Sequence, residues 1–281
     1  MKKSIIFLSI LFFLTLLQGK GCGEVYAQCN TWTQKMDLGG TARRSAVGFS
    51  IGNKGYIGTG GDGANKKDIW EYDPAGNTWT QKADFGGTAR WGALGFSIGS
   101  KGYIGTGNDG VTLYQDFWEY DTTSNTWTQR AVFGGTARYG AVGFSIGSKG
   151  YIGTGHDGAF TQDFWEYDPG TDTWTQKAIF GGTARYLAVG FSIGPKGYIG
   201  TGNSCGASCF LQDFWEYDPI SNTWTQKANY GGMATRVAAG FSIGSKGYIG
   251  TGWNGASNFQ QFWEYTPELT ANAGTDTSVI C

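Results

Sequence analysis

Histidine is almost absent from this chain of 281 residues, occurring once, at His156, and proline only five times. One imidazole cannot assemble a copper or zinc site by itself, nor a reliable Ser-His-Asp or Cys-His set. Charge of one sign is lacking too. With 21 basic and 22 acidic residues the formal net charge is −1, which leaves no footprint for nucleic acid or an anionic membrane surface. The longest apolar run, Ile5 to Leu17, is too short to span a bilayer. It follows Lys2 and Lys3 and precedes a polar stretch with Val25 and Ala27 as small residues. Residues 1–27 therefore read as a secretory signal peptide cut ahead of Gln28, and a secreted chain without a membrane span is expected. A lipid anchor at Cys22 is disfavoured by Lys20. No sustained 3.6-residue apolar stripe occurs, which argues against helices.

What is abundant is glycine, 49 residues, and tryptophan, 12 residues, and both recur at a fixed period. "TWT" returns at Trp32, Trp79, Trp127, Trp174 and Trp224, spaced 47, 48, 47 and 50 residues apart. "GYIGTG" and "WEY" keep the same rhythm, and ten of the 12 tryptophans fall in these columns. Each block offers four short strands: "AVGFSIG", "GYIGTG", "DFWEYD" and "NTWTQKA". "GSKG" and "DPAGN" or its equivalents supply the turns. Four-stranded units at this period predict an all-β, five-bladed β-propeller of antiparallel blades, over residues 28–267. The chain opens on a strand 4, Asn30–Lys35, and its last block stops after strand 3, so the N-terminal strand is expected to complete the last blade and close the ring. Residues 268–281 read as a tail, resembling the start of a further Ig-like module.

With "GTG" after strand 2, the tyrosine in "WEYD" and the tryptophan in "NTWT", repeated five times over residues 30–267, the chain resembles the kelch repeat family. That resemblance implies the propeller fold and brings a galactose-oxidase-like copper enzyme into consideration as an alternative function.

"GTGGDG" at Gly58–Gly63 has the G-x-G-x-x-G spacing of a dinucleotide-binding turn, but a Rossmann unit needs one such loop followed by a helix, and here five copies precede strands. No cofactor is expected. The first two glycines of each copy are assigned to strand 2, and the remainder begins a loop. These strand 2 to strand 3 loops carry all the length variation: "GDGANKK", "NDGVTLYQ", "HDGAFTQ", "NSCGASCFLQ" and "WNGASNFQQ". A second variable place lies in the strand 4 to strand 1 connection. One column there reads Arg43, Arg90, Arg138, Arg185 and Thr235, and the next Arg44, Trp91, Tyr139, Tyr186 and Arg236. Both connections emerge on one face of an antiparallel blade, so the candidate ligand-binding residues are Arg44, Trp91, Tyr114, Tyr139, His156, Tyr186, Arg236 and Trp253.

The first arginine column is read as structural, pairing with carboxylates of the adjacent blade, and the five "WEY" glutamates likewise as structural partners. Asp62, Asp109 and Asp157 are assigned to turns, with calcium as the lesser alternative, so no metal is expected. Cys205 and Cys209 are a candidate local disulfide; Cys29 and Cys281 could form a second. These features favour a monomeric, secreted, non-catalytic module for a glycan or protein ligand. The alternatives are a carbohydrate-active enzyme, galactose-oxidase-like or a carboxylate-based glycoside hydrolase, and a spacer within a large adhesin.

Overall fold

In the computed structural model, which describes residues 34–206 and 208–268, β-strands follow one another without an intervening helix. The first blade holds β1 (Val47–Ile51), β2 (Lys54–Gly58), β3 (Ile69–Asp73) and β4 (Thr78–Lys82). The second holds β5 (Leu94–Ile98), β6 (Lys101–Gly105), β7 (Phe117–Asp121) and β8 (Thr126–Gln129). The third holds β9 (Val142–Ile146), β10 (Lys149–Gly153), β11 (Phe164–Asp168) and β12 (Thr173–Gln176). The fourth holds β13 (Val189–Ile193), β14 (Lys196–Gly200), β15 (Phe214–Asp218) and β16 (Thr223–Lys227). The fifth holds β17 (Ala239–Ile243), β18 (Lys246–Gly250) and β19 (Phe262–Tyr265). Every blade is an antiparallel meander in sequence order. The closing strand expected at Asn30–Lys35 falls largely outside the described residues. The signal peptide, Cys29, Cys281 and all of the tail beyond Glu268 lie wholly outside them.

The inner strands β1, β5, β9, β13 and β17 touch in succession around a narrow shaft lined by small residues such as Ala46, Gly48, Ala93, Gly143 and Gly190. Within a blade, one face of each strand meets the blade before and the other the blade after, so the core lies between blades. One cluster joins Leu94, Phe96 and Phe117 of the second blade to Ile152 and Tyr167 of the third, and the pattern repeats around the arc. Burying each such ring contributes about 2–3 kcal/mol before entropy.

The strand-4 tryptophans also stitch blades together. Trp127, Trp174 and Trp224 donate Nε1–H to the carbonyls of Ala83, Ala131 and Ala178, the segments that leave the preceding blade. The same three alanines donate N–H to Asn125, Asp172 and Asn222 in the strand 3 to strand 4 turns. Met36 makes both contacts with Trp79 and Asn77. These turn residues have φ between 51° and 55°, a conformation that Asn and Asp tolerate through local hydrogen bonding.

The "GTG" segments differ from the sequence expectation. Each second strand ends at the first glycine, and the threonine and second glycine leave the ladder at positive φ, 57° and 84° at Thr59 and Gly60. A Cβ on Gly60 would stand 2.6 Å from the Arg44 carbonyl oxygen, and the Gly60 N–H reaches the Arg90 carbonyl of the next blade at 2.8 Å. Backbone approaches backbone too closely there for any side chain.

Candidate functional site

The buried arginines come first, because they hold the loops that carry the variable residues. Arg43, Arg90, Arg138 and Arg185 form fork-shaped ion pairs with Asp68, Asp116, Asp163 and Asp213. Each guanidinium also donates to the carbonyl of the "GTG" threonine, at 2.9–3.2 Å. Their side chains are at most 3% exposed. The aspartate belongs to the blade that the arginine leads into, two residues before the "WEY" tryptophan, whose Nε1–H it also accepts. The expected adjacent-blade pairing is thereby corrected: the connection turns back onto its own blade. Arg43 hydrogen bonds hold the Asp68 carboxyl below the usual carboxylate range, against an upward push from burial. At Asp213 burial pushes upward most strongly, and the Arg185 bonds outweigh it. The aspartate column was readable in the sequence: where the arginine is replaced by Thr235, the aspartate is replaced by Gln261.

The "WEY" glutamates are also committed within the fold. Tyr56, Tyr103, Tyr151, Tyr198 and Tyr248 each donate a hydroxyl to the facing glutamate at 2.6–2.8 Å. Burial, then the glutamate, drives the hydroxyl pKa of Tyr56, Tyr103, Tyr151 and Tyr198 upward.

On the opposite side of the buried arginines lie the two variable columns, and backbone pairing joins them. Arg44 with Gly61, Trp91 with Asn108, Tyr139 with His156, Tyr186 with Asn203 and Arg236 with Trp253 each exchange two N–H···O bonds of 2.9–3.1 Å. The residues that follow form a rim around the shaft. Gly92 N–H bonds to Ser45, Gly140 to Gly92, Leu187 to Gly140 and Val237 to Leu187, at 2.8–3.2 Å. Leu187 and Val237 sit at φ 53°, a costly backbone for branched side chains, held by this rim.

Above the rim stands a wall of rings. Trp91 meets Tyr139 edge-on at 5.2 Å and Tyr139 meets Tyr186 at 5.9 Å. His156 lies 5.4 Å from Tyr139 and 5.8 Å from Tyr186. Arg236 stacks over Trp253 at 4.7 Å and Tyr186 at 5.6 Å, and donates to the Tyr186 hydroxyl. Burial, with a smaller contribution from Tyr186, pushes the Tyr139 hydroxyl up. Phe160 and Phe210 complete the wall, touching His156, Tyr186, Arg236 and Trp253. Sequence reading missed both, although they occupy a third variable position, the loop residue that bridges back to His156 or Asn203.

Arg44 stands on the other flank, exposed, and with Trp91, Ala64 and Asn65 it lines a cavity of about 380 Å³. A second cavity of about 280 Å³ opens over the shaft between Ser45, Trp91, Tyr139 and Val237. Tyr114 is not in the wall. It lies 3.8 Å above the Arg90 guanidinium and donates to Asp109 at 2.7 Å. That bond, with the N–H groups of Thr112 and Val111, pulls Asp109 down to about 2. Asp62, Asp109 and Asp157 each accept backbone N–H bonds within their own turns. Cys205 and Cys209 are joined by a disulfide in the longest loop. Among the described residues no cluster of His, Cys, Asp or Glu could hold a metal ion, and no helix is long and apolar enough to cross a membrane.

Fold and face together define a β-propeller whose variable residues gather at one mouth of the shaft. Among solved structures, the chain is similar to the one titled "Structure of YjhT", with a TM-score of 0.64 and 18% identity over 75% of this chain and 73% of that one. At that identity the likeness shows the fold alone. No protein-family model matches the sequence, and no curated protein matches it.

Proposed function

We propose that this chain is a secreted, non-catalytic kelch-type propeller that binds a glycan or protein ligand at the mouth carrying the strand 4 to strand 1 and strand 2 to strand 3 connections. One observation carries the reading. On a scaffold repeated almost residue for residue, the positions that vary are paired through the backbone, and they gather aromatic rings, Arg236 and the exposed Arg44 around two neighbouring cavities. Flat apolar rings beside fork-shaped donors suit a sugar ring or an extended peptide. The carboxylates that repeat from blade to blade are tied to tyrosines or arginines, which suits a binding module better than acid–base chemistry.

Glycan-array and pull-down screening of the purified chain, repeated with Trp91→Ala and Arg44→Ala, tests the assignment. The expected outcome is binding that each substitution weakens at least tenfold with the melting temperature unchanged. Turnover of a sugar substrate, or binding indifferent to both substitutions, refutes it.

A further inference from the structure

We propose that the cavity between Arg44 and Trp91 is a pocket for one aromatic side chain, Tyr or Trp, of an extended peptide ligand. The proposal rests on the mouth being a binding face and narrows what that face takes. Every blade carries the same short ladder there: a residue of the strand 4 to strand 1 connection, its bridged partner, and the loop residue that pairs back to that partner. In chain order the first four read Arg44–Gly61–Asn65, Trp91–Asn108–Leu113, Tyr139–His156–Phe160 and Tyr186–Asn203–Phe210. The fifth is Arg236–Trp253–Asn258.

Between the third and fourth blades the chain fills this place with its own rings. His156 stands 5.4 Å from Tyr139 and 5.8 Å from Tyr186, and Phe160 stands 5.2 Å from His156 and 5.3 Å from Tyr186. Between the second and third, Trp91 and Tyr139 close directly on each other at 5.2 Å. The first blade is built differently. Gly61 brings no side chain, and Asn65 takes the position of Phe160 and Phe210, which leaves the cavity of about 380 Å³. The backbone does not demand this glycine. Gly61 is not at positive φ, and a Cβ on it would meet the Ala64 carbonyl oxygen at 3.3 Å and Asn65 Oδ1 at 3.9 Å. Asn108, His156, Asn203 and Trp253 all carry side chains at the same position. A cavity of about 150 Å³ already admits a benzene ring, so this one holds a phenol or an indole with room for the peptide bearing it.

The walls choose the ring. Arg44 occupies the position of Arg236, whose guanidinium the chain covers with Trp253 at 4.7 Å and Phe210 at 5.7 Å. Arg44 is exposed, and among the described residues no ring stacks on it. A guanidinium on one side and the Trp91 indole on the other favour an aromatic face over an aliphatic chain. Asn65 spends its Nδ2 on the Asp109 carbonyl at 2.5 Å, and its Oδ1, beside the Gly61 Cβ position, remains as an acceptor. That acceptor suits a tyrosine hydroxyl or a tryptophan N–H, each of which needs a partner when buried. A pyranose would stack on Trp91 but offers the Arg44 guanidinium no π face.

The test is titration of the whole chain with N-acetyl-tyrosinamide, N-acetyl-tryptophanamide, N-acetyl-leucinamide and methyl glucopyranoside, followed by saturation-transfer NMR and calorimetry. The two aromatic amides are expected to bind with a Kd of about 1–10 mM, and the other two probes at least about tenfold more weakly. Gly61→His installs the side chain of the third blade, and Asn65→Phe installs its loop ring from the neighbouring position. Each is expected to stay folded and to weaken the aromatic amides at least about tenfold. Arg44→Lys keeps the charge but loses the planar guanidinium, and should weaken them about threefold. Aromatic amides that fail to bind the wild-type chain, or bind both filled variants as tightly as the wild type, overturn the proposal. Preferential binding of the glycoside, lost in the same variants, overturns the aromatic assignment and leaves the mouth a binding face. Glycan or peptide binding indifferent to Trp91→Ala and Arg44→Ala overturns both.

Discussion

Replacing Arg138 by threonine isolates the pair that holds each connection onto its blade. Its guanidinium is 1% exposed and bonds to Asp163, to the Thr136 and Thr154 carbonyls at 2.9 Å and to the Thr161 hydroxyl at 2.8 Å. Removing it leaves Asp163, 23% exposed, with the Trp165 indole N–H as its side-chain donor, at 2.8 Å. Breaking a buried ion pair by deleting one partner costs about 3–5 kcal/mol, because the other charge stays uncompensated. For a domain of this size that lowers the melting temperature by roughly 6–20 °C. Asp163→Gln alone strands a buried guanidinium and should cost a similar amount. The double substitution should be more stable than either single one. It copies the fifth blade, where Thr235 and Gln261 occupy the two positions and find other partners, the Trp253 carbonyl and the Met233 N–H, at 3.3 and 3.1 Å. Calorimetric melts of the four chains form a double-mutant cycle. If the two single losses simply add in the double variant, the arginine and aspartate are not a unit, and the account of how the variable loops are anchored fails.

Acid should weaken the same anchors. Asp68 is held below its unfolded value by Arg43, so its contribution is fully present above the ordinary aspartate pKa of about 4 and is lost as pH falls through the lower folded value. Melting temperatures measured from pH 5 down to pH 2 should fall for the wild-type chain, and Asp68→Asn should start lower and fall less steeply. Gly60→Ala combines a left-handed backbone with a Cβ 2.6 Å from the Arg44 carbonyl oxygen, and is expected to cost at least about 1–3 kcal/mol in thermal melts. Gly63, also at positive φ but with open space around its Cβ position, should cost about 1 kcal/mol or less beyond that backbone penalty, which separates crowding from conformation.

The blade count, the hairpins and the location of the variable face were all legible in the sequence, for a common reason. Each depends on a short segment recurring at fixed spacing. The turn glycines, the alternating strands and the length changes confined to one loop are local signals, and five copies of each suppress chance. The arginine column was visible as well, and its aspartates could have been, since Thr235 and Gln261 depart together. The partner blade was not, because a linear pattern does not say which way a connection folds back. Phe160 and Phe210 were passed over because a single loop phenylalanine carries no local mark of a shared site. They join Tyr186, His156 and Trp253 only once the blades are rotated into place.

The sequence by itself determined the repeating unit: what each strand presents, where each turn falls and which positions are free to differ. Tertiary structure alone decided what those units meet. Phe191 and Phe241 sit in the same local sequence, yet one is buried and the other exposed. The difference comes from whether a glycine-faced blade stands next to the ring, and that is set by the stacking of whole blades around the shaft rather than by any residue near the phenylalanine.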